Sequence, residues 1–417
     1  MGKNRFLNIL YYGDFDCSTG YGMVSKNLID NWSKIIGDKG LITVFALNNF
    51  EKEDYEYKKN VFVIPALKTR QKNDTDSFAR NSFLKLLYNG NYTHLFCNND
   101  VEVFNGLTKF LLQIKEDKKK ENRPKIKSVL YFPIDSPVRK KDLEVLKFFD
   151  KAVTYTEYAK TIIKDLVYPN IFKKVSVLPH GTNTKDFFPI NNKEIEDLKN
   201  KYFKNNSSKY IFGTVNRNSA RKDMSTLMIS YSEFVKEQKN TLLYIHANPK
   251  DKYGVNLHRL AERLDLVEGE NIIFADNNVS EKNKEEFGVT TYSLKMLNEL
   301  YNCFDCFVTT TTAEGWGLTV TEAMATKTKV ICPIHTSLSE ITNYGELVIP
   351  LNRLSKVVYV NDYDKIRYKS DSGELISAMK TALSTDKKNL ATLSYEKVVK
   401  LKWEDISRKF YNLIKSI

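Results

Sequence analysis

Short runs of β-branched and aromatic residues alternate along the chain with longer stretches of helical spacing. FLNILYY (6–12), LITVFAL (41–47), VFVI (61–64), THLFC (93–97) and KSVLYF (127–132) predict buried strands. Helical periodicity over 21–35, 78–88, 102–121 and 139–149 falls between them. KAVTY (151–155) and VSVLP (175–179) follow, with a helix predicted over 156–167. Regular strand–helix alternation argues for a parallel sheet covered by helices on both faces.

A second series then starts. YIFGTV (210–215), TLLYIHA (241–247), NIIFA (271–275), CFVTT (306–310), KVICP (329–333) and LVIP (347–350) are its predicted strands. The polar, helix-like segment 191–204 separates the two series and places the boundary near 181–208. The expectation is an α/β chain of two doubly wound, parallel-sheet, Rossmann-like domains: 1–185, on which a C-terminal helix at 402–417 packs back, and 205–400. Facing strand ends would form a cleft, the place where open α/β sheets bind ligands.

Composition narrows the class. The 417 residues suit two to three domains of about 150 each. With 42% hydrophobic and 28% charged residues, wholesale disorder and small disulfide scaffolds are excluded. A net charge of +13 suits phosphate-rich partners or an anionic membrane surface, although lysine is abundant throughout. The lysine-rich run from Lys115 to Lys127 is most simply a solvated helix end and loop. No stretch is apolar for the roughly 18 residues of a membrane span, and no signal peptide is expected. Met1-Gly2 begins like a myristoylation site, but Phe6 stands where Ser or Thr is needed. Five scattered cysteines suit a reducing, cytoplasmic compartment. Cys303 and Cys306 have C-x-x-C spacing, but no second pair or nearby His completes a metal site.

The segment TTTTAEGWGLTVTEAMATKTKVICP (309–333) carries the chemistry. A strand ends in threonines, a glycine-flanked loop follows, and a helix begins near Leu318. Gly315 and Gly317 allow close backbone approach, and a helix N-terminus attracts phosphate through unpaired N–H groups and its dipole. Glu314 and Glu322 stand eight apart, and a carboxylate can accept from two vicinal sugar hydroxyls. Glu322 has a competing reading, because Thr319-Val-Thr-Glu322 also fits a capping box.

E-x7-E inside EGWGLTVTEAMA, after Tyr-Asn-x-x-Asp-x-Phe-Val (301–308), resembles the family-4 retaining glycosyltransferases. The resemblance implies a GT-B fold of two Rossmann-like domains. It implies that Glu314 faces the donor sugar and Glu322 holds the ribose. Backbone amides of Gly315, Trp316, Gly317, Leu318 and Thr319 would meet the diphosphate. It also implies an Arg and a Lys at the turn after strand 210–215, where Arg217 and Lys222 match and Arg221 could share the Arg role. YYGDFDCSTGYGMVSKNL (11–28) resembles the family's first-strand glycine loop, with Gly20 and Gly22 under the donor phosphates. Asp135 in YFPIDSP matches an Asp of the family, with Ile134 replacing its His partner; substrate contact and a strand-end turn remain open. In VLPHGTNTKDFFP, Asn183 replaces the usual Asp of the inter-domain segment.

The expected activity is retaining transfer of a sugar from a nucleoside diphosphate sugar to a hydroxyl of a glycan, lipid or small molecule. Glu314, Arg217, Lys222 and Asp135 form the expected catalytic set. No cofactor or metal is expected: Asp14-Phe-Asp16 and Asp74-Thr-Asp76 mimic D-x-D motifs, but cations at the turn already serve the leaving group. Asp14 and Asp16 are expected to point away, or to cap the helix that begins near Gly20. No nucleic acid is expected as a partner, and peripheral membrane contact through basic surface stays open. The alternatives are a DNA-modifying glucosyltransferase, disfavoured because no base-reading element is visible, and a catalytically inactive sugar-nucleotide-binding protein.

Overall fold

The computed structural model describes residues 6–69, 76, 78–275, 293–360, 362, 364–384 and 388–417. Met1, Gly2 and Asp74, singled out above, lie outside the described residues. The chain divides into two compact units: Met1–Ile134, Val138–Gly181 and Trp403–Ile417 form the first, and Asp135–Pro137 with Thr182–Lys402 the second. Apart from the short excursion at Asp135–Pro137, the chain passes to the second unit after Gly181 and returns after Lys402, and the polar helix Asn192–Phe203 lies inside the second.

In the first unit the described strands are β1 (Leu7–Asp14), β2 (Gly40–Leu47), β3 (Tyr55–Lys58), β4 (Val61–Pro65), β5 (His94–Asn98), β6 (Lys127–Phe132), β7 (Lys151–Thr154) and β8 (Val175–Val177). They form one sheet in the order β3-β4-β2-β1-β5-β6-β7-β8. Every pairing is parallel except β3 with β4. Strand β3 was not anticipated, because YEYK contains no apolar run; it is an edge strand and stays half-exposed.

Val24, Leu28, Trp32 and Ile36 recur at helical spacing and bury one face of the helix Gly20–Ile36. Trp403, Ile406, Phe410 and Ile414 do the same in the helix Trp403–Ser416. The two meet: Trp32 Nε1 donates to the Ser407 carbonyl at 2.9 Å. Phe410 meets Phe96 of β5 and Tyr131 of β6 edge-on, at 5.5 and 4.6 Å between ring centres.

Three helical expectations need correction. The segment 102–121 is not one helix: a tight turn at Val101–Phe104 ends at Gly106, whose φ of +80° breaks the ladder before the helix Thr108–Lys120. The segment 139–149 forms a 3₁₀ helix at Lys140–Lys147. The lysine-rich run is not simply solvated. Lys115 Nζ lies 3.0 Å from Asp150 Oδ2, and Lys118 Nζ donates to the Gly90 carbonyl at 2.7 Å, capping the helix Arg80–Asn89.

The second unit's sheet holds β9 (Tyr210–Val215), β10 (Thr241–His246), β11 (Ile272–Phe274), β12 (Cys306–Val308), β13 (Lys329–Pro333) and β14 (Ile349–Leu351). All run parallel, in the order β11-β10-β9-β12-β13-β14. Its order reverses between β9 and β12, and the carboxyl ends of strands at such a switch point are where open α/β sheets bind ligands. An antiparallel hairpin, β15 (Leu354–Val358) with β16 (Ile366–Ser370), is added outside the sheet. Among the described residues, no helix is long and apolar enough to cross a membrane.

Phe410 is fully buried. Phe410→Ala is expected to cost about 3–5 kcal/mol of stability, read as a lowered denaturation midpoint.

Candidate active site

Four threonines join the ends of β9 and β12. Thr309, Thr310, Thr311 and Thr312 continue β12, and each is at most 1% exposed. Such burial demands a partner for every hydroxyl. Thr310 donates to the Asp223 carbonyl at 2.8 Å, Thr311 to Glu314 Oε1 at 2.8 Å and Thr312 to the Arg221 carbonyl at 2.9 Å. The Thr312 N–H bonds the Arg221 carbonyl as well, at 2.8 Å. Asn216 reaches the Thr309 hydroxyl from the other loop, at 3.4 Å. The loop after β9 is thereby stitched to the loop after β12.

The stitch brings charges together. Lys222 Nζ lies 2.5 Å from Glu314 Oε1, and Arg221 Nη1 lies 3.3 Å from Glu314 Oε2. Arg221 also donates to the Ala313 carbonyl. Burial alone would raise the Glu314 carboxyl, but Lys222 and Arg221 outweigh it and hold it at about 2. Burial pulls Lys222 down, while the adjacent carboxylate draws it up.

A second layer fixes Glu314. Its N–H donates to the Thr336 hydroxyl at 3.1 Å, and Ser337 donates to the Glu314 and Trp316 carbonyls at 2.9 and 2.8 Å. Burial lowers His335 to about 4, so its ring is neutral. Nε2–H then donates to the Thr311 carbonyl at 3.0 Å, and Nδ1, 3.1 Å away, accepts from Thr336.

Beyond Glu314 the backbone turns at Gly317, with φ of +104°, and the helix Leu318–Ala325 begins. A side chain at Gly317 would be strained there and would meet Leu338 Cδ2 at 2.7 Å. Leu318 and Thr319 present N–H groups that the helix's own ladder cannot satisfy. The capping-box reading of Glu322 does not hold: Gly317 is the cap residue, and Glu322 Oε2 instead accepts from the Tyr301 hydroxyl at 2.8 Å. Burial pushes the Glu322 carboxyl up to about 7, against the pull of Tyr301 and Lys222. A group raised this way costs stability as pH climbs from its ordinary 4.5 to about 7.

Two expected residues are placed differently. Arg217 is not brought to Glu314: its Nε pairs with Asp251 Oδ2 at 2.9 Å, and its guanidinium lies over the Tyr253 ring. Asp135 belongs to the second unit, where Arg367 Nη1 lies 3.0 Å and Lys365 Nζ 3.8 Å from its carboxylate. Burial would raise Asp135, but Arg367, Lys365 and Arg221 hold it at about 2. An acid that strong accepts hydrogen bonds and is a poor proton acceptor near neutrality. Arg367 is almost fully buried, is also clasped by Asp362 at 2.5 and 2.8 Å, and sits beside Tyr368, whose N–H bonds the Thr312 carbonyl at 3.0 Å.

Gly20 and Gly22 belong to the first unit. Thr19 caps the helix Gly20–Ile36, its hydroxyl accepting from the Gly22 N–H at 2.9 Å. Asp14 does not itself cap this helix; it accepts from the Thr19 hydroxyl at 2.6 Å and from Asn48 at 3.0 Å. Asp16 accepts from Tyr55 at 3.0 Å.

No protein-family model matches the chain. A probable sucrose-phosphate synthase of Thermosipho melanesiensis is 25% identical over 256 residues, which is 60% of this chain and 49% of that protein. The chain thus spans about half the length of this curated relative. Anabaena HepE, crystallised with UDP and glucose, is similar with a TM-score of 0.67 at 15% identity, over 99% of this chain and 100% of its own. The sucrose-phosphate synthase of Thermosynechococcus elongatus gives 0.70 at 15% identity, over 98% of both chains. A glycosyltransferase of Rickettsia africae gives 0.69 at 14%, again over 98% of both. At these identities the likeness is one of architecture, and the chain is built on the GT-B fold that these glycosyltransferases share.

Proposed function

We propose that the protein is a retaining glycosyltransferase that moves a sugar from a nucleoside diphosphate sugar to an acceptor hydroxyl. The observation that carries this reading is the convergence of Arg221 and Lys222 on Glu314 beyond the ends of β9 and β12, close in sequence to the start of the helix Leu318–Ala325. Two cations and unpaired N–H groups suit a diphosphate. Glu322, one helical step along, is the acceptor for the ribose hydroxyls, and Glu314 for those of the donor sugar. We assign the Arg role to Arg221, since Arg217 is paired with Asp251. Asp135, held ionised, accepts from a substrate hydroxyl and does not act as the base.

In the step itself the bond from the anomeric carbon to the phosphate oxygen breaks, and a bond to the acceptor oxygen forms on the same face. The acceptor's proton passes to the departing phosphate oxygen. Arg221, Lys222 and the helix N-terminus stabilise the charge on that leaving group, and no divalent metal is required. Because HepE was crystallised with UDP-glucose and the Thermosipho relative is named for sucrose-phosphate synthesis, UDP-glucose is the first donor to try. The acceptor class is a glycan, lipid or small molecule.

A thermal-shift and hydrolysis screen with UDP-, GDP- and ADP-sugars should show stabilisation and turnover with at least one; no response to any of them sinks the reading. Lys222→Ala should lose diphosphate affinity about tenfold or more while nucleoside affinity holds, measured by calorimetry. Transfer in excess EDTA should match transfer with Mg²⁺ restored, and rescue by metal would mean that the leaving-group stabiliser is wrongly assigned.

Glu322 adds a pH signature. The ionised carboxylate accepts from both ribose hydroxyls, whereas the protonated form must donate at one oxygen. Nucleoside diphosphate affinity should therefore rise as pH increases through about 7 and then level off. Glu322→Gln should flatten that step.

A further inference from the structure

The cations assigned above to the diphosphate are engaged within the protein itself. Lys222 and Arg221 hold the two oxygens of Glu314, and Thr311 donates a third contact at 2.8 Å. The carboxylate is 8% exposed as a residue, so the pairs act where water screens them little. Asp135 supplies further negative charge toward Arg221 and is itself held by Arg367. A diphosphate entering here does not fill a bare cationic pocket. It must displace a carboxylate that is already paired.

Displacement has a cost for Glu314 as well. A buried carboxylate that loses its cations is destabilising unless other donors replace them. Thr311 provides one hydroxyl, and the sugar of an intact donor provides more, in a chemistry a carboxylate accepts well. Free nucleoside diphosphate brings a more highly charged anion, with its terminal phosphate no longer esterified, but without those hydroxyls, so the return of Glu314 must outweigh that added charge.

Resting on the donor-site reading above, we propose that Glu314 is an internal competitor for Arg221 and Lys222 that separates donor from spent product. The intact nucleoside diphosphate sugar displaces the carboxylate and rewards it with sugar hydroxyls. Once the sugar has been transferred, Glu314 returns to Lys222 and Arg221 and expels the nucleoside diphosphate. Glu314 therefore acts against the very anion that its neighbours bind.

The test is calorimetric titration of UDP, GDP, ADP and inorganic pyrophosphate into the wild type and into Glu314→Gln. The glutamine variant keeps the shape and removes the charge. It should bind pyrophosphate and the preferred nucleoside diphosphate at least about tenfold tighter than the wild type, while its turnover falls. Equal or weaker binding by the variant overturns the competitor role, because a merely structural or sugar-facing Glu314 gives no gain. If Glu314→Gln does not fold, the wild type decides alone: it should bind its intact donor more tightly than the matching nucleoside diphosphate, and the reverse order overturns the proposal. Wild-type failure to bind any of these probes removes the donor-site reading and the competitor with it. Wild-type binding with no gain in the variant removes the competitor alone.

Discussion

A buried carboxylate between two cations organises the second unit. An ion pair out of water survives only while both partners stay in place, since removing either leaves an uncompensated charge. Glu314 therefore ties the loop after β9 to the loop after β12, and the threonines at 309–312 hold both loops at the spacing the pair requires. The pattern continues outward: Arg367 stands between Asp135 and Asp362, and Arg221 feels both Glu314 and Asp135. Alternating signs let several charges share a small, poorly solvated space.

The backbone supplies what side chains cannot. Gly317, three residues after Glu314, adopts a left-handed turn from which the helix Leu318–Ala325 starts. Thr336, also at positive φ, offers its hydroxyl to the Glu314 N–H, and neutral His335 passes the support on to the Thr311 carbonyl. A protonated His335 would present two donors and break that chain, and burial prevents this by keeping the ring neutral. The glutamate is thus positioned through its side chain and its main chain by different neighbours.

Much of this architecture was legible in the chain. Strands buried on both faces read as continuous apolar runs, so the two parallel sheets stood out, and the switch from strand to helix around Glu314 was visible in its threonines and glycines. The half-exposed edge strand Tyr55–Lys58 lacks such a run. The hairpin carrying Arg367 is polar, antiparallel and outside the sheet, with no periodicity to separate it from a loop, and so Arg367 was missed. Between Arg217 and Arg221, spacing alone could not choose. The choice depends on Asp251, which draws Arg217 away, and on the turn at Ala220–Lys222, which delivers the next two basic residues to Glu314. Tyr301 lay inside a recognised stretch, yet its bond to Glu322 joins positions that only folding brings near.

The helix Trp403–Ser416 belongs to the first unit, but it is encoded after the whole of the second. A ribosome delivers the second unit's sheet as one uninterrupted stretch, which can close as soon as it emerges. The first unit's sheet emerges earlier, with Trp32, Phe96 and Tyr131 still lacking the ring of Phe410. Its aromatic core stays open to solvent until translation has passed both units. Of the two units, the one whose synthesis starts first is therefore the one completed last.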